Sequence, residues 1–219
     1  MTAHMVAGLD GCAAVQGRVG ALSTAPDAAL FALMRTLADV VLVGASTVRK
    51  EGYGAIRLPP ERASSRTDLG LPATPPLAIV SRSLDLDWTS APFTNVRAES
   101  RSIVVTCAAA PVDRLARARE VADVVVAGDE SVDPGDLMGQ LAERGLHRVL
   151  CEGGPTWLGE LVTAGQLDEL CLTIAPMMGG DPLPVAVFPT GADLTQFALR
   201  HVLQAEDTLF LRYERARHG

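Results

Sequence analysis

The residues best placed by type and spacing to do chemistry lie where apolar runs stop at glycine. Val149-Leu150-Cys151 is followed by Glu152, Gly153, Gly154, Pro155, Thr156, Trp157 and Leu158. Two residues without Cβ expose their backbone N–H groups, Pro155 suits a first helical turn where its missing N–H costs nothing, and Thr156 adds a hydroxyl. The segment can therefore cradle a pyrophosphate. Glu152, at the carboxyl end of the apolar run, is set to face whatever occupies the crevice there. A purely structural Gly-Gly turn is the plainer alternative. Val41-Leu42-Val43 runs into Gly44, Ala45, Ser46, Thr47 and Val48. Glycine there lets a ligand approach the backbone, and the hydroxyls are expected to cap a helix whose N-terminus attracts an anion. An ordinary strand-to-helix turn with a Ser cap would read the same way. Ile79-Val80 ends in Ser81-Arg82-Ser83, a guanidinium between two hydroxyls. That set suits the 2′-phosphate of an adenine dinucleotide and favours NADPH over NADH.

A fourth feature is the glycine-dense N-terminal stretch from Gly8 through Gly11, Gly17 and Gly20 to Asp27. It reads as a mobile loop that closes over a ligand. Asp10 and Asp27 are its acid candidates. The alternatives are a turn-stabilising role for Asp10 and a helix N-cap for Asp27.

These residues need a scaffold, and the sequence supplies one by alternating β-branched runs with helical stretches, the pattern of a mainly parallel α/β sheet. Strands are predicted at 4–9, 39–44, 77–81, 102–106, 123–127 and 147–151, with helices at 27–38, 112–121, 134–144 and 155–164. The continuous apolar character of the strands fits burial on both faces. Beyond residue 165 the segments 168–175, 197–205 and 207–214 are strand-like, so the sheet should end in an antiparallel hairpin. Residues 52–76 and 176–195, punctuated by Pro, Gly, Ser and Arg, read as irregular loops. Neither divides the chain, and a single domain over 1–219 is expected.

Composition narrows the function classes. A net charge of −7 and an aromatic content of 4% argue against a phosphate-backbone or base-stacking nucleic-acid binder. The four cysteines are widely spaced and form no C-x-x-C, so neither a metal site nor a redox dithiol is expected. The N-terminus has no basic segment leading into a long apolar one and no run is long enough to span a bilayer, so a cytoplasmic chain is expected. G-x-G-x-x-G is absent, which argues against a plain Rossmann dehydrogenase. Lys50 is the only lysine, leaving arginine as the cation for any phosphate.

The order of the pieces carries a resemblance. L-D-G after the first strand, G-R-x-x-x-L-S-x-x-x-D, x-L-M-R-x-L-A-D, V-L-V-G-A-S-T-V-R-x-E-G-Y-G, E-G-G-P-T-W-L-G-x-L and D-E-L-x-L-T-I-A-P-x-x-x-G follow one another along nearly the whole chain. This arrangement resembles the reductase domain of riboflavin biosynthesis, a family with the dihydrofolate reductase-like fold, and is closest to its stand-alone pyrimidine reductase-like members. The fold implied is α/β, with a central mostly parallel sheet, helices on both faces and a C-terminal antiparallel hairpin. The zinc deaminase half fused to some members is not expected, because H-x-E and P-C-x-x-C are missing. The resemblance implies NADPH held by Gly44, Ala45 and Thr47, by Ser81 and Arg82 at the 2′-phosphate, and by Gly153, Gly154, Pro155 and Thr156 under the pyrophosphate. It further implies Ala7 on the nicotinamide side, Glu51 near the cofactor, Glu152 at the substrate and Arg57 on a substrate phosphate, with Arg62 and Arg66 as further arginines. A homodimer is also implied.

On this reading the chain reduces 5-amino-6-(5-phosphoribosylamino)uracil or a close relative, with Glu152, Asp10 or a water held by them as proton source. A pterin reductase anchored through Asp27 is one alternative. A non-catalytic NADPH-binding protein is another, motivated by Val19-Gly20-Ala21-Leu22, where the family's biosynthetic members place Ser and an aromatic residue, and by altered arginine spacing after Gly54.

Overall fold

A computed structural model describes residues 1–216. In chain order the elements are β1 (Thr2–Ala7), α1 (Ala25–Leu37), β2 (Val40–Gly44), α2 (Ala45–Glu51), α3 (Pro60–Asp68), β3 (Leu77–Val80), α4 (Ala91–Thr94), β4 (Ile103–Thr106), α5 (Val112–Val121), β5 (Asp123–Val126), α6 (Pro134–Glu143), β6 (Val149–Cys151), α7 (Pro155–Thr163), β7 (Glu169–Ile174), β8 (Phe197–Ala205) and β9 (Thr208–Arg215). They group into two compact units, one made of Met1–Ala32 and the chain from Cys151 onward, the other of Leu33–Leu150.

In the Leu33–Leu150 unit, β5, β4, β3 and β2 lie side by side and parallel, with Val41 opposite Leu77, Ala78 opposite Ile103 and Ile103 opposite Asp123. Val40–Val43 and Ile103–Thr106 are buried throughout, which explains why their sequences run apolar without alternation. Val41, Ile79, Leu77, Leu84, Val104 and Leu150 are central to this unit's core.

In the other unit β1 pairs in parallel with β7, and β7, β9 and β8 continue antiparallel. Glu206 and Asp207 form the β9–β8 turn with φ of 49° and 63°, the left-handed pair that a tight two-residue hairpin demands. The α/β class, the mostly parallel strand pairing and the terminal antiparallel hairpin are thus as expected.

Two expectations about elements fail for physical reasons. β1 ends at Ala7, not at residue 9, because Gly8 turns back to bond Cys12 and the Leu9 N–H goes to the Met177 carbonyl. The 52–76 stretch is not irregular throughout, since it contains α3. That helix is polar on almost every face, and its one buried residue is Arg66, at 1% exposure. Arg66 donates from Nε to the Pro72 carbonyl at 2.8 Å, and from Nη1 to the carbonyls of Thr36 and Ala38 at 2.8 and 2.6 Å. It satisfies carbonyls that the end of α1 leaves without helical partners. Replacing Arg66 with Met should cost about 3 kcal/mol, since buried carbonyls lose a charged donor. Urea unfolding measures this, and a loss below about 1 kcal/mol would show the carbonyls find other partners.

Candidate active site

Within the Leu33–Leu150 unit, the Gly44 turn joins β2 directly to α2. Gly44 is the N-cap and its helix has no side-chain cap. Ser46 and Thr47 therefore lie inside the first turn, a correction to the expectation that they cap it, and the leading N–H groups of the helix are left to other acceptors. Glu51 is half-buried at the other end of α2, where Gly52 closes the helix with φ +67°.

Ser81 and Arg82 follow β3. The buried Ser81 Oγ accepts from the Leu84 N–H at 3.1 Å, and Leu84 takes a left-handed φ of 51° with its side chain wholly buried. A leucine in that region costs about 1–3 kcal/mol, which core burial offsets. The consequence is a fixed two-residue tip, Arg82–Ser83, held out into solvent.

Arg57 is exposed and lines a cavity of about 420 Å³ with Thr74, Asn95, Arg97 and Ser102. Leu77 and Ser102 place this cavity at the N-terminal ends of β3 and β4, the opposite end of those strands from Ser81 and Arg82. Arg66, 1% exposed with Nε and Nη1 on backbone carbonyls and Nη2 buried without a partner, holds the local structure and is closed off from a phosphate in solution.

β6 leads out of the Leu33–Leu150 unit into Glu152, which is buried, and Gly154 caps α7 without a side-chain hydrogen bond, with Pro155 in the first helical position. Gly153 has φ +90°, and its peptide to Gly154 is cis. A Cβ on Gly153 would meet Met5 at 3.5 Å and the Pro155 nitrogen at 4.0 Å, both ordinary contacts, so the glycine is required by conformation and not by space. The uncapped start of α7 has the donors and the positive end that a pyrophosphate needs, so these residues fit a dinucleotide. Cys151 next to it is buried, which pushes its thiol up to about 12 and leaves it inert as a nucleophile. Ala7 closes β1, and its carbonyl accepts from the Ala175 N–H at 2.8 Å.

Both oxygens of Asp10 are engaged by loop amides, Oδ1 by Cys12 N–H at 3.1 Å and Oδ2 by Gly179 N–H at 2.7 Å. The Cys12 thiol first, then these amides, pull its pKa down to about 2. Asp181 likewise accepts from Gln16 and Gly17, at 3.1 and 2.6 Å. The glycine-rich stretch is therefore tied along the 177–183 segment. Leu22 and the half-buried Val19 of the departing Val19–Leu22 segment belong to a small core with Val6, Cys12 and Ala175.

Asp27 is not the N-cap of α1. Thr24 takes that place, with its Oγ1 3.4 Å from the Asp27 N–H. The Asp27 carboxylate, 3% exposed, accepts from Ser23 Oγ and Thr173 Oγ1, both at 2.6 Å, and lies 3.3 Å from His4 Nε2. An amidine edge would have to displace these hydroxyls. Burial alone would raise the Asp27 pKa, but the bonds from His4, Ser23 and Thr173 outweigh it and hold the carboxyl below its usual range. His4 and Thr173 were not readable from sequence, since they lie 23 and 146 residues away from Asp27 along the chain, a separation no local pattern spans. A carboxyl with a lowered folded pKa stabilises above its unfolded value, and that contribution is lost as pH falls through the folded value. Asp27→Asn should therefore be less stable than the parent at neutral pH and lose less further stability below about pH 4. Thermal midpoints of both proteins across that range test this, and parallel curves would exclude the Asp27 contribution.

Among the described residues no group of three or more His, Cys, Asp or Glu side chains could hold a metal ion, and no helix is long and apolar enough to cross a membrane. An α/β chain whose glycine turns open helices at strand ends defines a class of anion-holding proteins. The sequence profile of the RibD C-terminal domain matches residues 1–211, and the chain belongs to that family. It is 31% identical over 177 residues to a protein of Methanothermobacter thermautotrophicus named 2,5-diamino-6-ribosylamino-4(3H)-pyrimidinone 5′-phosphate reductase, covering 80% of this chain and 77% of that one. A protein of the same name from Archaeoglobus fulgidus is 25% identical over 183 residues, covering 83% and 82%. The crystal structure of a pyrimidine reductase-like protein from Corynebacterium diphtheriae superposes with a TM-score of 0.89 at 28% identity, covering 99% of this chain and 92% of that one.

Proposed function

We propose that the chain is an NADPH-dependent reductase of a phosphoribosylaminopyrimidine precursor of riboflavin, of the 5-amino-6-(5-phosphoribosylamino)uracil type. The observation that carries this reading is the turn after β6, where a buried Glu152 adjoins a helix start whose amides no side chain takes. The names of the archaeal relatives support the substrate class. Bound NADPH supplies a hydride, which reduces the ring-opened imine at ribosyl C1′ to a ribitylamine while one proton is taken up.

The chain's own part is to bind, orient and supply that proton. Gly44, Ala45 and Thr47 on one turn, and Gly153, Gly154, Pro155 and Thr156 on the other, offer backbone and hydroxyl donors to the cofactor, with Ser81 and Arg82 at its 2′-phosphate. Ala7 and Glu51 complete the cofactor contacts, while Arg57, which lines the cavity at the N-terminal ends of β3 and β4, is left out of the substrate site. Glu152 is the proton donor or the group that holds the donating water. Asp10, ionised far below neutral pH and tied to two amides, serves the loop instead. Asp27 supports the structure beneath β1. The enzyme acts in the cytoplasm as a homodimer, for which the exposed Leu199, Val202 and Leu203 of the edge strand β8 are the contact surface.

The test is NADPH oxidation by the purified chain with two substrates. One is 5-amino-6-(5-phosphoribosylamino)uracil, and the other is the 2,5-diamino-pyrimidinone phosphate of the relatives' names. Turnover of either supports the reading and assigns the 2-position. NADPH binding without turnover of either would make this a cofactor-binding protein, and a sedimentation mass of one chain would remove the dimer.

A further inference from the structure

The loop that follows β3 gathers more positive charge than a single phosphate-facing arginine. Its tip is rigid, since Leu84 is pinned in the core and its N–H is bonded to Ser81 Oγ. Thr106 Oγ1 holds the Arg82 carbonyl at 3.4 Å from the end of β4. Two further arginines reach this tip from separate helices. Arg49, in the last turn of α2, donates from Nη1 to the Asp85 carbonyl at 2.8 Å. Arg114, in the first turn of α5, donates from Nη1 to the Ser83 carbonyl at 3.0 Å. Each guanidinium has five N–H donors in a fixed fork, so one bond to the loop fixes its position and leaves donors over. Among the described residues the Arg82 guanidinium itself has no protein partner. Among the described residues the one carboxylate paired with this group is the exposed Asp85, whose Oδ1 lies 3.8 Å from Arg114 Nη1. Three guanidiniums thus surround residues 82–85 against one carboxylate.

We propose that Arg49 and Arg114 are specificity residues that join Arg82 in reading a phosphate monoester, the 2′-phosphate of the cofactor, at the C-terminal end of β3. The inference rests on the NADPH reading above. A monoester dianion suits the arrangement because its three free oxygens can each accept from a different guanidinium. Asp85 is then the resting counter-ion, which gives up its place beside Arg114 when the phosphate arrives.

The alternative is that both arginines only latch the loop, and the two cases differ in what a substitution does to ligands with and without the 2′-phosphate. Calorimetry with adenosine 2′,5′-bisphosphate and adenosine 5′-monophosphate as probes separates them. Arg49→Ala and Arg114→Ala should each weaken the bisphosphate about tenfold, the loss of one charge-assisted bond, and leave the monophosphate unchanged. Asp85→Asn, which removes the competing carboxylate and keeps the backbone carbonyl, should tighten the bisphosphate alone. Equal losses for both probes, or no loss for either, overturn the proposal, as does an Asp85→Asn variant no tighter than its parent. If the unaltered chain binds NADPH and its binding is insensitive to Arg49 and Arg114, this inference fails and the cofactor reading stands. If it binds neither NADPH nor the bisphosphate, the cofactor reading fails and takes this inference with it.

Discussion

Gly159→Ala is expected to destabilise the chain by about 3 kcal/mol or more, a large part of the roughly 5–15 kcal/mol that holds a domain together. Gly159 sits in the middle of α7, where alanine would ordinarily improve a helix. Here the Val187–Phe188 backbone is laid against the helix, anchored by the Val187 N–H on the Pro155 carbonyl at 3.0 Å. An ideal Cβ on Gly159 would overlap the Val187 carbonyl oxygen and stand 2.6 Å from its carbon. Both are main-chain atoms, so no side-chain rotamer relieves the overlap. Either the 187–188 segment lifts off or α7 shifts, and α7 carries the glycine turn at its start. Gly139, in α6, provides the control. It is exposed, and a Cβ there would meet nothing within 4 Å, so Gly139→Ala should stabilise by about 0.5–1 kcal/mol. Chemical unfolding of the two variants should move in opposite directions, and a Gly159→Ala protein as stable as its parent would disprove the close packing of that segment on α7.

Glu152→Gln should lower kcat by about 10²-fold or more while leaving cofactor affinity within about twofold of the parent. Gln keeps the size of the side chain and removes the capacity to give up a proton, so the turn survives and the acid does not. The comparison of NADPH affinity with turnover is decisive. Unchanged turnover would take Glu152 out of the chemistry. A loss of affinity as large as the loss of turnover would mean that Glu152 shapes the Gly153–Gly154 turn and acts through it.

Much of the architecture was legible in the sequence because the strands are apolar on both faces and the helices between them keep a stripe of apolar residues. The glycine turns at Gly44 and Gly153 were legible too, since Gly and Pro announce a strand-to-helix junction by composition alone. What sequence concealed was the assignment of polar residues to partners far along the chain. α3 has no apolar stripe to detect, because the side chain it buries is an arginine, and that same arginine invited a ligand role that its bonds to Pro72, Thr36 and Ala38 exclude. Asp27 could be placed at the start of a helix, but Thr173, which donates to it, comes from β7. The hydroxyls of Ser46 and Thr47 suggested caps, and the two-residue offset from Ser46 that puts Gly44 at the N-cap lies below what a pattern resolves.

The twin carboxylate clasps of the N-terminal loop have a consequence for motion. Asp10 and Asp181 each bridge the two segments, 8–17 and 177–183, and the backbone bonds Leu9 to Met177, Ala13 to Leu183 and Asp181 to Ala14 run between the same pair. The two lengths of chain are therefore coupled as a single unit, so that a displacement at Gly11 is felt at Gly180. The amides of Cys12, Gln16, Gly17 and Gly179 should exchange with solvent together and at one rate, a kinetic signature that an independently waving glycine loop would not give.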